Sequence, residues 1–297
     1  MKKDHFLVTW FLQIRGPFLI LSFVLVLIGV AAAYQDGYKN WDSSVLLLVG
    51  VMLAHISVNL FNEVSDYHTE IDARTIRTPF SGGSGLLQSG KTSPKTVLAV
   101  AYGTLVAAAA IGIYFCFIRG WFVLLLMVVG GCAARFYTSY FAKRLFGEFM
   151  AGLTLGSFVV LGTHYVLTGR CPVEIIFVSI PPGILTSVLL FLNEFPDAEA
   201  DRKGGRYHLV IRFGKETSAR IYAVSLVIVY SLILTAPFIL NIPYGILIAL
   251  MTSPLALRSV MRVLKYHSDT PGLIPALGMN VGIVIFTDLL LAVGYFL

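Results

Sequence analysis

Charge is what this sequence has least of. Asp, Glu, Lys and Arg make up 13% of its 297 residues, against 57% apolar residues, where a soluble domain carries about 25% charged residues. With a mean hydropathy of +0.81, the composition excludes an ordinary soluble domain and points to the bilayer as solvent. Cysteine is scarce as well. Cys116, Cys132 and Cys171 are scattered through apolar stretches without metal-ligand spacing, which excludes a zinc cluster or a disulfide framework built from them. The glycine-rich run Ser81-Gly82-Gly83-Ser84-Gly85 lacks a GKS/T signature, so it is not a P-loop. Its backbone N–H groups are able to face a phosphate, and a flexible cap is the simpler role.

What remains is long apolar runs. A spanning helix needs about 20 mainly apolar residues, and nine stretches qualify, at roughly 12–34, 43–62, 95–116, 120–137, 147–168, 174–193, 217–237, 243–262 and 272–297. They predict an all-α polytopic membrane protein of about nine transmembrane helices, forming a single domain over residues 1–297. The first run starts only after Arg15, so it reads as a retained helix rather than a cleaved leader. With the N-terminus cytoplasmic, nineteen of the 22 lysines and arginines fall on the cytoplasmic face, and only Lys39, Arg119 and Arg170 on the other. The positive-inside rule therefore places the protein as a multi-pass chain of the cell membrane. The same bias accounts for the net charge of +6 without a nucleic-acid partner.

Two segments on that face carry acids and bases together. The first runs from Asn59 through Asn62, Glu63, Asp66, Glu70 and Asp72 to Arg74 and Arg77; the second runs from Asn193 through Glu194, Asp197 and Asp201 to Arg202, Lys203 and Arg206. In each, an Asn precedes an Asp by four residues, which puts both side chains on one helix face. Pro196 is a point where the second helix can break. Asp66 and Asp72 lie six residues apart, about 240° around an ideal helix, so Asp72 converges with Asp66 only if the helix has already ended. Glu70 has the better helical spacing and is the rival ligand. Carboxylates this close repel unless a cation lies between them. Mg²⁺ suits the oxygen donors, binding through one or two carboxylates plus substrate phosphates. Elsewhere, His55 and Asp288 lie inside spans; His55 is expected to pack by hydrogen bonding, and Asp288 to face the bundle interior.

The two clusters, in this order, resemble the paired aspartate-rich motifs of the UbiA superfamily of intramembrane prenyltransferases, and the likeness runs along nearly the whole chain. The similarity is greatest to the 1,4-dihydroxy-2-naphthoate polyprenyltransferase branch of menaquinone biosynthesis. Asn62, Asp66 and Asp72 follow that branch's aspartate spacing. Gly147-Glu148 with Leu161 to Gly169 resembles its fifth helix, and Asp197 to Gly214 its second motif. Tyr207-His208 depart from the pattern, standing where a basic residue and Thr are common.

The resemblance implies a helical bundle around a central cavity, capped on the cytoplasmic side by the motif loops. It implies Mg²⁺-dependent prenyl transfer from a polyprenyl diphosphate to a small aromatic acceptor. Asn62, Asp66 and Asp72 are then expected at one metal site, and Asn193, Asp197 and Asp201 at another. Asp66, Asp72, Asp197 and Asp201 are the expected catalytic set. Arg74, Arg77, Lys143 and Lys203 are expected to contact the diphosphate, with Arg144 as an alternative to Lys143. Other acceptors in the superfamily (4-hydroxybenzoate, haem, chlorophyllide, a glycerol phosphate lipid) stay open, as does the more distant alternative of an ion-coupled transporter. Transporters, however, usually place such acids near the midplane.

Overall fold

The computed structural model describes residues 3–75, 77–78 and 80–297, all-helical and without a strand among them. Helix α1 (Lys3–Gln13) precedes a 3₁₀ turn at Gly16–Leu19 that runs into α2 (Ile20–Gln35), the two together making the first candidate span, Gly16–Gln35. Helix α3 (Trp41–His68) starts where the Asn40 side chain accepts from Ser43 N at 3.0 Å, satisfying one of the free donors of a helix start. After it come the one-turn α4 (Ile71–Arg74), α5 (Pro94–Arg119) and α6 (Trp121–Phe136). Ser93 caps α5 with Pro94 in its first turn, where a missing N–H costs nothing.

The fifth apolar stretch is α7 (Gly147–Ala151), a π-helical turn over Gly152–Ser157, and α8 (Phe158–Thr168). It packs tightly on α9 (Val173–Lys203). A Cβ on Gly156 would lie 2.6 Å from Gly183 Cα, so only glycine permits this approach of the two backbones. Helix α9 continues through Pro181, Pro182 and Pro196 to Lys203; the expected break at Pro196 does not occur. Neighbouring groups in a membrane bundle compensate the carbonyl that proline frees. The chain closes with α10 (Leu209–Ile239), kinked at Gly214, a 3₁₀ segment at Tyr244–Thr252, α11 (Ser253–Tyr266) and α12 (Thr270–Gly294).

Among the described residues, eight helices are long and apolar enough to cross a membrane. The stretch expected at 120–137 is the shorter α6, of 16 residues, about 24 Å at 1.5 Å per residue. It still returns the chain from the Arg119 end of α5, beside the last turn of α8, to the opposite end of the bundle. Helix α2 is buried along most of its length and packs on α3, α8, α9 and α12. A buried polar chain ties the last helices to α9: Ser259 and Tyr222 hydroxyls pair at 2.8 Å, Tyr222 donates to Asn280 Oδ1 at 3.0 Å, and Asn280 Nδ2 donates to Val188 O at 3.0 Å. His55 is buried and hydrogen-bonded to Ser22 Oγ at 2.9 Å. Asp288 faces the interior with both carboxylate oxygens unpaired.

Candidate active site

Two cavities meet at one end of the bundle. The larger, about 410 Å³, is walled by apolar and small residues of α2, α3, α5, α6, α8 and α9, including Leu47, Ala108, Gly112, Gly130 and Leu189. The smaller, about 100 Å³, is polar, and Asn62, Asp66, Asp72, Asn193, Asp197 and Asp201 all line it. Arg15, Asn62, Phe80, Tyr137, Leu190 and Asn193 line both cavities and form the neck between them. From Leu47 to Asn62, α3 extends about 22 Å along the larger cavity.

Local chain geometry explains how the first motif converges. Helix α3 ends at His68, and Glu70 takes a left-handed conformation (φ 57°) that redirects the chain. This turn aims Glu70 outward, where it pairs with Arg74 at 2.6 Å with its side chain 65% exposed. Asp72, one short turn later, is buried at the chamber wall and accepts from Gln88 Nε2 at 3.3 Å. Gly83 (φ +65°) lies directly over it: a Cβ there would collide with the Asp72 carboxylate. The loop residues Phe80 to Gly83 thus wall the chamber, held by Glu63, which accepts from Ser84 N at 2.8 Å and Ser84 Oγ at 2.7 Å.

The cations at the chamber are not the four expected ones. Arg74, Arg77, Lys143 and Lys203 are exposed and line neither cavity. Proximity in sequence does not bring them in, because each sits on the outward side of its turn. Arg206 and Arg15 are there instead. Arg206 donates to Asp66 Oδ1, to Asn62 Oδ1 at 3.0 Å and to Asp201 Oδ1 at 2.9 Å, so it bridges the two motifs. Burial works against its charge, but Asp66 and Asp201 outweigh burial and hold Arg206 above the usual guanidinium range. Arg15 pairs with Glu63 at 3.3 Å. Burial pushes Asp72 up to about 6, with repulsion from Asp66 and Glu63 adding to the shift and Arg15 and Arg206 opposing it.

Residues that sequence reasoning did not assign also wall the chamber: Arg15, Tyr137, Glu194, Arg206 and His208. Arg206 and His208 had a signal, lying five and seven positions past Asp201. Arg15 and Tyr137 had none. The donor set fits hard divalent cations on two counts. All six motif side chains offer oxygen, and among the described residues Asn193 Oδ1 and Asp197 Oδ1 are buried with no hydrogen-bond partner, a state that normally needs a ligand to account for it.

A model of the UbiA prenyltransferase family matches residues 22–278. The 1,4-dihydroxy-2-naphthoate octaprenyltransferase of Bacillus subtilis (strain 168) is 31% identical over 219 residues, covering 73% of this chain and 69% of that one. The apo structure of a UbiA homolog from Aeropyrum pernix K1 matches with a TM-score of 0.65 at 16% identity, over 91% of this chain and 95% of that one. A UbiA homolog from Archaeoglobus fulgidus, bound to GPP and Mg²⁺, matches with a TM-score of 0.60 at 14% identity, over 95% and 99%. At these identities the two solved structures speak to the fold.

Proposed function

We propose that this chain, which belongs to the UbiA prenyltransferase family, transfers a polyprenyl group from its diphosphate to 1,4-dihydroxy-2-naphthoate, with Mg²⁺ as its cofactor. The observation that carries the reading is the pair of cavities: an oxygen-rich chamber of about 100 Å³ joined by a six-residue neck to an apolar cavity of about 410 Å³. That shape matches an amphiphile with an anionic head and a hydrocarbon tail. The Bacillus subtilis relative is named for this acceptor, and the Archaeoglobus fulgidus homolog was solved with a prenyl diphosphate and Mg²⁺.

We assign Asn62, Asp66 and Asp72 to hold one ion and Asn193, Asp197 and Asp201 to hold the other. When bound, divalent ions supply the charge that stabilises a departing diphosphate. Arg206 keeps Asp66 and Asp201 facing each other, which fixes the separation of the two motifs. Phe80 and Tyr137 line the neck, where an allylic carbon would separate from its leaving oxygen. Aromatic faces there favour positive charge, and the apolar cavity beyond keeps water from the allylic cation. The acceptor's electron-rich ring carbon forms the new C–C bond. Its carboxylate then leaves as CO₂, and the electron pair of the broken bond restores the ring. None of the assigned residues is a strong base. A naphthoate whose own hydroxyls activate the ring does not need one, whereas an aliphatic hydroxyl acceptor would benefit from a positioned proton acceptor.

The test is a parallel assay of the purified protein with one prenyl diphosphate and three acceptors. Decarboxylated prenyl naphthoquinol is expected from dihydroxynaphthoate, with little product from 4-hydroxybenzoate or a glycerol phosphate lipid. Faster turnover of either of those would remove the acceptor assignment and leave prenyl transfer intact. The same reading puts the chamber on the cytoplasmic side of the cell membrane. Cysteines introduced at Ser81 and Gly204 should label from the cytoplasm and one at Asn241 from outside; opposite labelling of Ser81 and Gly204 would sink the orientation.

A further inference from the structure

Next to the two motifs sits a second group of ligand-type side chains that the transfer reaction does not use. Glu148 comes from the first turn of α7, Glu194 from α9 between Asn193 and Asp197, and His208 from the residue that precedes α10. One ligand atom from each lies within 4.8 Å of the other two. The three residues are buried, at 3%, 9% and 2% exposure. Glu148 Oε1 accepts from Leu209 N at 2.8 Å. Among the described residues, Glu148 Oε2 and Glu194 Oε2 have no well-aligned hydrogen-bond donor, and the ring nitrogens of His208 make only long ion-pair contacts, to Glu194 and Asp201. Buried polar atoms so poorly satisfied are rare and costly, and here four of them gather in one place.

We propose that Glu148, Glu194 and His208 bind a divalent transition ion of the zinc class, at a site distinct from the oxygen ligands of the two motifs. Ligands about 2.1 Å from a tetrahedral ion lie about 3.4 Å apart, and His208 Nδ1 lies 3.5 Å from Glu194 Oε2. On the other side of the ring, His208 Nε2 is 3.3 Å from Asp201 Oδ2. A metal-bound imidazole characteristically turns its other N–H to a carboxylate, which fixes the tautomer and the ring orientation; Asp201 stands where that carboxylate belongs. One imidazole with two carboxylates suits zinc, manganese, iron or cobalt, whereas magnesium and calcium select oxygen alone. Charge agrees with this choice. The two glutamates bring two negative charges, and the nearby cation Arg206 is already committed to Asp66, Asn62 and Asp201.

The consequence is mechanical as well as electrostatic. An ion here pins three segments of the chain to each other and, through His208, restrains Asp201 at the chamber wall. Glu148, Glu194 and His208 are then positioning residues for the second motif, whatever acceptor the enzyme uses.

The experiment reads metal rather than turnover, so it stands apart from the acceptor assignment. Purified full-length protein is stripped with chelator, dialysed into excess Mg²⁺ to fill the oxygen sites, and titrated with Co²⁺ as a coloured substitute for Zn²⁺. One equivalent should bind despite the Mg²⁺, with the intense visible bands of a four- or five-coordinate ion, and stoichiometric Zn²⁺ should remove those bands. Glu148→Gln and His208→Gln should each weaken this binding by at least about tenfold. X-ray absorption at the zinc edge of the wild-type protein should show nitrogen and oxygen neighbours at about 2.0–2.2 Å, a measurement that does not depend on either variant folding. If the wild-type protein takes up no Mg²⁺-resistant equivalent, or its zinc spectrum shows an all-oxygen shell displaced by Mg²⁺, the proposal is overturned, and the two glutamates share a proton instead.

Discussion

Replacing Asp72 and Glu70 one at a time separates two carboxylates that lie two residues apart and that helical spacing leaves in competition. Glu70 has its side chain 65% exposed and paired only with Arg74, itself 47% exposed. An exposed i,i+4 pair is worth about 0.3–0.5 kcal/mol of stability, and Glu70 lines neither cavity, so Glu70→Ala should change turnover by less than about threefold. Asp72 is buried at the chamber wall beneath Gly83 and keeps a hydrogen bond from Gln88. Losing a group that merely orients a metal ligand costs about 10–100-fold, so losing a direct ligand should cost at least about 100-fold, or about 2.7 kcal/mol. Asp72→Asn is the better control than alanine, because it keeps the volume and the Gln88 contact while removing the charge. The assay is turnover against Mg²⁺ concentration for Asp72→Asn, Asp72→Ala and Glu70→Ala, with a thermal melt of each to confirm folding. A loss in Glu70→Ala as large as in Asp72→Ala would refute the reasoning, since it would require α3 to continue past His68 and carry Glu70 inward.

Chelation should abolish activity, and the Mg²⁺ requirement should depend on pH. With Asp72 pushed up to about 6, its carboxyl takes a proton below that pH, and only the ionised form ligates metal. The apparent Mg²⁺ affinity should therefore fall about fourfold between pH 7.5 and 5.5 through this group alone; an unchanged requirement would count against Asp72 as a ligand. Arg206→Met removes the buried cation between Asp66 and Asp201, and breaking a buried pair costs about 3–5 kcal/mol. The melting temperature should drop more in EDTA than in Mg²⁺, because a divalent ion replaces part of the lost charge; equal drops would argue against Arg206 as the counter-ion of the motifs.

How much of this was legible in the sequence depends on the range of each interaction. The all-helical membrane class follows from runs of about 20 apolar residues, and eight helices of that kind are present among the described residues. The turn after α3 was legible too, since Asp66 and Asp72 line one chamber only if the helix ends between them, as it does at His68. The length of α6 was not, because the apolar run continues through Tyr137 while the helix ends at Phe136, and Tyr137 lines both cavities. Counter-ions were the least legible. Arg74, Arg77, Lys143 and Lys203 stand near the motifs in sequence, yet the chamber takes Arg15, 48 residues from its partner Glu63, and Arg206, 140 residues from Asp66. Pairings at that range depend on which helices pack together, and a single sequence does not record that.

The charges at the chamber also constrain the order of events. Asp66, Asp72, Asp197 and Asp201 line it, against Arg15 and Arg206, and Arg15 is already shared with Glu63. A wall with that excess of acids repels a diphosphate. Burying the acids near the membrane is also costly unless cations accompany them. On the proposed reading, a diphosphate would enter together with divalent cations or after them. Arg206 keeps two of the facing carboxylates from repelling each other, and on the same reading its buried charge would also serve the departing diphosphate. The six residues of the neck line both cavities, so on that reading the bond would break between charge on one side and hydrocarbon on the other. An ionisation that needs a polar head group and a dry tail would have the two in adjoining chambers.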